Sequence, residues 1–136
     1  MAHYASSFII ERLALDASIG VYAEERATPQ PIAIAVRLYF PELPGCTDDD
    51  DGVFIDYDGL CKRLVKTVER QHFQLIEYMA NELFQQARTY LDEHNGQAVA
   101  LWLKLTKCKP AVPHLEHGAS FVLSDLPPGA TVVEAD

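Results

Sequence analysis

The sequence predicts an α+β fold of two layers, a four-stranded antiparallel sheet with two helices on one face. Hydrophobic periodicity runs strand, strand, helix, helix, strand, strand along the chain. The two helical segments are consecutive, so their apolar stripes are most simply buried together on one face of an antiparallel sheet. The chain has 136 residues, which suits one domain with a core of its own.

The first strand is FIIERLAL, residues 8 to 15, with imperfect alternation. IGVYAEERATPQ, residues 19 to 30, reads as a loop containing Gly20 and Pro29. PIAIAVRLYF, residues 31 to 40, alternates well, with Ile32, Ile34, Val36, Leu38 and Phe40 sharing one face. Pro41, Pro44, Gly45 and Gly52 then break the pattern.

The first helix is expected from about Tyr57 to His72, with Leu60, Leu64, Val65 and Val68 on one side. The second is expected from about Gln74 to Asn95, stopped at Asn95 and Gly96. Its buried face begins with Leu75, Ile76, Met79, Ala80 and Leu83. QAVALWLKLTK, residues 97 to 107, returns to strand alternation through Val99, Leu101, Leu103 and Leu105. A proline-containing turn leads to a last strand, about Ala119 to Leu123. Residues 1–126 form the expected domain, and residues 127–136 are expected to be a frayed tail. A four-stranded sheet leaves exposed edges, and edge pairing between subunits predicts a homo-oligomer.

Hydrophobic residues make up 49% and charged residues 23%, ordinary for a globular protein. The net charge of −9 opposes a nucleic-acid footprint and an anionic membrane surface. No run approaches the roughly 20 apolar residues of a membrane helix. The start, MAHYASSFIIERL, lacks a positive segment followed by a long apolar one. Cys46, Cys61 and Cys108 are odd in number and form no CxxC, as expected of reduced thiols in the cytosol. The expected protein is soluble and cytoplasmic, with no cofactor and no metal.

Two metal motifs fail on spacing. DDDDG, residues 48 to 52, puts Thr47 at the first position of a calcium loop, where a carboxylate is required. Cys108, His114 and His117 match no common zinc spacing. Neither a nucleophile elbow nor a phosphate-binding glycine loop is present.

Four residues carry candidate chemistry. Lys107 falls on the apolar face of its strand, one step past Leu105. Desolvation there lowers a lysine's pKa and suits it to act as a base, whereas a lysine at a strand end can also snorkel to water. Tyr57 opens the first helix, where a phenol can exchange a proton or simply pack. Glu25 lies in a loop, where functional residues concentrate and solvated glutamates are also common. Glu77 borders the apolar stripe of FQLIEYMANELF in the first helical turn, where a carboxylate favours the helix dipole by about 0.3–1 kcal/mol.

IGVYAEERATPQ, FIDY, FQLIEYMA and TKCKPAVP, in this order, resemble the dihydroneopterin aldolase family over nearly the whole chain. The resemblance implies the tunnelling fold, in which two-layer subunits assemble into rings as tetramers or octamers with active sites between subunits. It implies a pterin substrate held by Glu77, whose two carboxylate oxygens match the paired N–H groups of a 2-aminopyrimidinone. Ile76 borders that slot, and the resemblance adds Ile55 and Asp56 to the substrate-binding set.

The implied reaction is retro-aldol cleavage of 7,8-dihydroneopterin, without Schiff base or zinc, in folate biosynthesis. Lys107 would be the base region, Tyr57 from a neighbouring subunit would protonate the intermediate, and Glu25 would position water and hydroxyls. Lys109, directly before Pro110, competes with Lys107. Strand parity favours Lys107. The alternatives are a dihydroneopterin or dihydroneopterin triphosphate 2′-epimerase of the same family, and a non-catalytic pterin-binding paralogue.

Overall fold

The computed structural model describes residues 2–45, 48–49 and 55–134. Cys46, Asp50, Asp51 and Phe54 lie outside the described residues, with Asp48 and Asp49 inside them. The elements are β1 (His3–Tyr4), β2 (Ser6–Ala17), α1 (Ala23–Ala27), β3 (Gln30–Phe40), α2 (Tyr57–Glu69), α3 (Ile76–Glu93), β4 (Ala100–Lys107), β5 (Ala119–Ser124) and β6 (Thr131–Val132).

Period-two alternation builds the main sheet, which is antiparallel throughout in the order β2-β3-β4-β5. Ile32, Ile34, Val36 and Leu38 of β3 and Leu101, Leu103 and Leu105 of β4 are buried on one face. They pack beneath Leu60, Leu64 and Val68 of α2 and Met79, Ala80, Leu83, Ala87 and Leu91 of α3. Each of the buried Leu, Ile, Val and Met side chains stabilises the fold by about 1.5–3 kcal/mol, so the α+β layering follows from burial of these stripes.

The imperfect alternation of β2 has a simple cause. Its register against β3 shifts between Ile10 and Leu13. Phe8 and Ile10 oppose Leu38 and Val36, then Leu13 and Leu15 oppose Ile34 and Ile32. One extra residue moves the inward parity from even to odd, so all four face the helices.

Several expectations are corrected. The stretch 19–30 contains a helix, α1, of only 5 residues. The described part of the tail is not frayed, because β6 pairs in parallel with β1. That ribbon covers the sheet face away from the helices, where Tyr4, Tyr39 and Ala100 are buried with Trp102, Leu126, Ala130 and Val132 around them. Val65 is only half-buried, and Thr67 takes a buried place by donating its hydroxyl to the Arg63 carbonyl at 2.9 Å. Leu75 is 49% exposed because it is the extended N-cap of α3 and so stands outside the helical stripe. Asn95 is left-handed, with φ 63°, and Gly96 N–H reaches the Leu91 carbonyl at 2.7 Å, which closes the end of α3.

A backbone clamp ties the α2–α3 connection to the sheet. Gly20 N–H donates to Phe73 O at 3.0 Å, and Phe73 N–H donates to Ser18 O at 2.9 Å. Ile19 and Phe73 are buried by this pairing. The first turn of α3 is thereby set at the end of the sheet where β2 stops and β4 finishes.

Candidate active site

Lys107 closes β4 opposite Ile32, on the same face as Leu105. Its Nζ donates to Glu25 Oε2 at 2.9 Å, and the side chains are only 15% and 19% exposed. The parity argument therefore delivers the lysine to a shielded carboxylate. Lys109 is exposed beyond the strand end.

A network of contacts within and around its loop holds Glu25 in place. The loop bends so closely at Gly20 that a Cβ there would run into the Glu25 Cβ. Gln30 Nε2 donates to Ile19 O at 2.7 Å and to Glu25 O at 2.9 Å, pinning both ends of the loop. Arg26 donates to Gly20 O and Val21 O at 2.9 and 3.0 Å. Ser18 Oγ donates to Arg26 O at 2.7 Å and lies 2.6 Å from His72 Nδ1. The serine's single proton goes to the Arg26 carbonyl, so His72 is the donor through Nδ1. No sequence pattern marks Ser18, Arg26 and His72, because these contacts follow no periodicity.

The Lys107 hydrogen bond, helped by the Tyr22 N–H, holds the Glu25 carboxyl below its ordinary value of 4.5. Glu25 is ionised at neutral pH and balances the ammonium charge. Any stability from this shift is present above the ordinary value and fades as pH falls through the folded one.

Glu77 lies in the first turn of α3 at this same end of the sheet, exposed. Its carboxylate has no hydrogen bond or ion pair among the described residues. No side chain caps this helix at Leu75, so the backbone N–H groups of the first turn add unsatisfied donors beside the carboxylate. Ile76 is half-buried against the core and forms the floor.

Tyr57 is elsewhere. It opens α2, 54% exposed, with its ring 5.0 Å from that of Phe8. Asp56 is the helix cap, its Oδ1 accepting from Asp58 and Gly59 N–H at 3.1 and 3.3 Å. Ile55 packs on the core. Phe8 opposes Leu38, whereas Lys107 opposes Ile32. Six residues of strand at roughly 3.3 Å each separate these rows by about 20 Å. One chain thus brings Lys107, Glu25 and Glu77 to one end of the sheet and Tyr57, Asp56 and Ile55 to the other.

Cys108 and the two histidines of its loop do not converge. Cys108 Sγ accepts from Arg12 at 3.5 Å, and His117 lies 3.9 Å from Glu116. No group of three or more potential metal ligands occurs among the described residues, and no helix among them is long and apolar enough to cross a membrane.

The sequence profile described as "FolB: Dihydroneopterin aldolase" matches residues 8–123. The chain belongs to the dihydroneopterin aldolase family. A Chlamydia trachomatis serovar D protein named "Probable dihydroneopterin aldolase" is 31% identical over 108 residues, covering 79% of this chain and 85% of that one. The dihydroneopterin triphosphate 2′-epimerase of Escherichia coli K12 is 29% identical over 90 residues, covering 66% and 75%. A crystal structure from Vibrio cholerae O1 biovar El Tor, assigned to dihydroneopterin aldolase (FolB), superposes with a TM-score of 0.73 at 25% identity, over 88% of this chain and 96% of that one. The subunit is that of the tunnelling fold, as the resemblance implied. The matched region contains both the pinned Glu25 loop and the Lys107 strand end.

Proposed function

We propose that the protein cleaves 7,8-dihydroneopterin by a retro-aldol reaction, giving 6-hydroxymethyl-7,8-dihydropterin and glycolaldehyde for folate synthesis. The observation that carries this reading is the Lys107–Glu25 pair, 2.9 Å apart and shielded, at the sheet end that also presents the unpartnered Glu77.

Glu77 accepts two parallel N–H bonds from the pterin, with Ile76 and backbone groups of the first turn completing the slot. The Lys107–Glu25 pair, acting through an ordered water, receives the proton of the C2′ hydroxyl. The C1′–C2′ bond breaks, glycolaldehyde leaves with its new C=O, and the electron pair moves into the conjugated C=N of the ring. Protonation of C1′ returns those electrons and gives the hydroxymethyl product. The phenol of Tyr57 assists that proton transfer, and Ile55 and Asp56 frame the pterin beside it.

Tyr57 stands about 20 Å from Lys107 in one chain, by the strand count above, so a neighbouring copy completes the site. The unpaired edges of β2 and β5 offer the route to such a ring, a tetramer or an octamer. The thiols Cys61 and Cys108 are free, in keeping with a cytoplasmic enzyme.

The test is incubation with 7,8-dihydroneopterin in EDTA without added metal, followed by chromatography of the oxidised pterins with fluorescence detection. Hydroxymethyl-dihydropterin is the expected product. Monapterin alone would assign the chain to the epimerase reading, which the E. coli relative favours and which the acidic balance opposes for a triphosphate substrate. Bound pterin without any product would overturn the catalytic reading.

A further inference from the structure

The side chain of Tyr57 is held weakly. Its ring touches Phe8, it is 54% exposed, and its hydroxyl has no hydrogen bond among the described residues. Its position is therefore set by the backbone of residues 55–57, and that backbone is anchored to the far end of α3.

Tyr90 is the anchor. It is 6% exposed, and its hydroxyl donates to the Asp56 carbonyl at 3.0 Å. The same carbonyl accepts the first helical bond of α2, from Leu60 N–H at 3.1 Å. A Cβ on Gly59 would overlap the Tyr90 hydroxyl, so the glycine leaves the space that the phenol occupies. The Tyr90 ring is stacked on His94 at 4.0 Å, and the Arg63 guanidinium lies 5.6 Å from its centroid. Burial pushes the Tyr90 phenol above its ordinary value, so it remains a donor. Ile55 adds a second anchor, its Cδ1 lying 3.2 Å from where a Cβ on Gly96 would stand.

We infer that Tyr90 is a positioning residue for the reaction, fixing through Asp56 the place at which Tyr57 is presented to a neighbouring copy; this rests on the reading of Tyr57 as the proton-transferring phenol. Helix α3 then serves both half-sites. Glu77 rides on its first turn and Tyr90 lies 13 residues later, a rise of about 20 Å at 1.5 Å per residue. That span matches the separation of the two half-sites along the sheet. The helix sets their spacing, and the Tyr90 hydroxyl is its connection to the Tyr57 end.

The experiment is a double-mutant cycle of Tyr90→Phe and Tyr57→Phe, with kcat, KM and oligomer size measured for each variant. Tyr90→Phe is expected to lower kcat by about tenfold, the effect of a slightly misplaced catalytic group, with KM within about twofold because Glu77 holds the pterin. In the Tyr57→Phe background the same substitution is expected to change kcat little, since the group it positions is gone. Gly59→Ala, which displaces the Tyr90 hydroxyl, is expected to reproduce the kcat loss. Unchanged kcat in Tyr90→Phe would overturn the inference, as would an equal loss in both backgrounds, which would mark Tyr90 as merely structural. Wild-type turnover in Tyr57→Phe alone would instead overturn the reading of Tyr57 on which the inference stands.

Discussion

Replacing Lys107 by alanine is expected to lower turnover of 7,8-dihydroneopterin by about 10²–10⁴-fold, the range of a positioned proton-transfer group. The side chain leaves the apolar face of β4 and meets Glu25 Oε2 at 2.9 Å. Removing it deletes the cation of the pair and leaves Glu25 as an uncompensated, shielded carboxylate. KM should change far less than kcat if, as proposed, Glu77 holds the pterin ring. Lys109→Ala, at an exposed position beyond the strand, is expected to keep turnover within about twofold. Steady-state kinetics on the two variants decide between the lysines. Full activity in Lys107→Ala would remove that residue from the mechanism.

The second large effect falls on binding. Glu77→Ala removes two charge-assisted hydrogen bonds to the pterin, each of roughly 1.5–3 kcal/mol, so affinity should weaken by about 10²–10⁴-fold. Stability should move by no more than about 1 kcal/mol, the worth of a carboxylate at a helix N-terminus. The two readings of Glu77 separate cleanly here. A residue that serves only the helix dipole would shift the melting temperature and leave binding alone. Fluorescence titration with neopterin, beside thermal unfolding of the same samples, measures both quantities. Glu77→Gln retains one acceptor and should fall between alanine and wild type.

The parts of the fold legible in the sequence are those that a short period dictates. β3 and β4 alternate without interruption, and counting by twos from Val99 reaches Lys107 on the face where it lies. The stripes of α2 and α3 are visible in the same way. β2 is legible only in part, because the shift between Ile10 and Leu13 exchanges its two faces. The β1–β6 ribbon joins two residues at each end of the chain, too few to show any period. Leu75 reads as helical from its spacing, yet the N-cap must be extended, which turns it outward.

The site divides along the same line. Residue types and order pointed to Glu25, Tyr57, Glu77 and Lys107. Their supports are polar contacts that obey no hydrophobic period, some within the 18–30 loop and some between distant segments. Gln30 on Ile19 and Glu25, Ser18 between His72 and Arg26, and Tyr90 on Asp56 leave no local pattern. That one chain keeps Tyr57 and Lys107 at opposite ends of the sheet follows from strand register. The register puts Tyr57 beside the Phe8 row and Lys107 beside the Ile32 row.

The division of the site between copies is tested most directly by mixed oligomers. Lys107→Ala and Tyr57→Phe chains, each expected to turn over far more slowly than wild type by itself, are co-expressed with different tags and purified through both. Random neighbours in a symmetric ring give about a quarter of the sites an intact lysine from one chain and an intact tyrosine from the other. Recovery of about that fraction of wild-type turnover is the predicted result. A mixture no more active than its two parents would contradict the account, since it would mean that each chain builds its site alone.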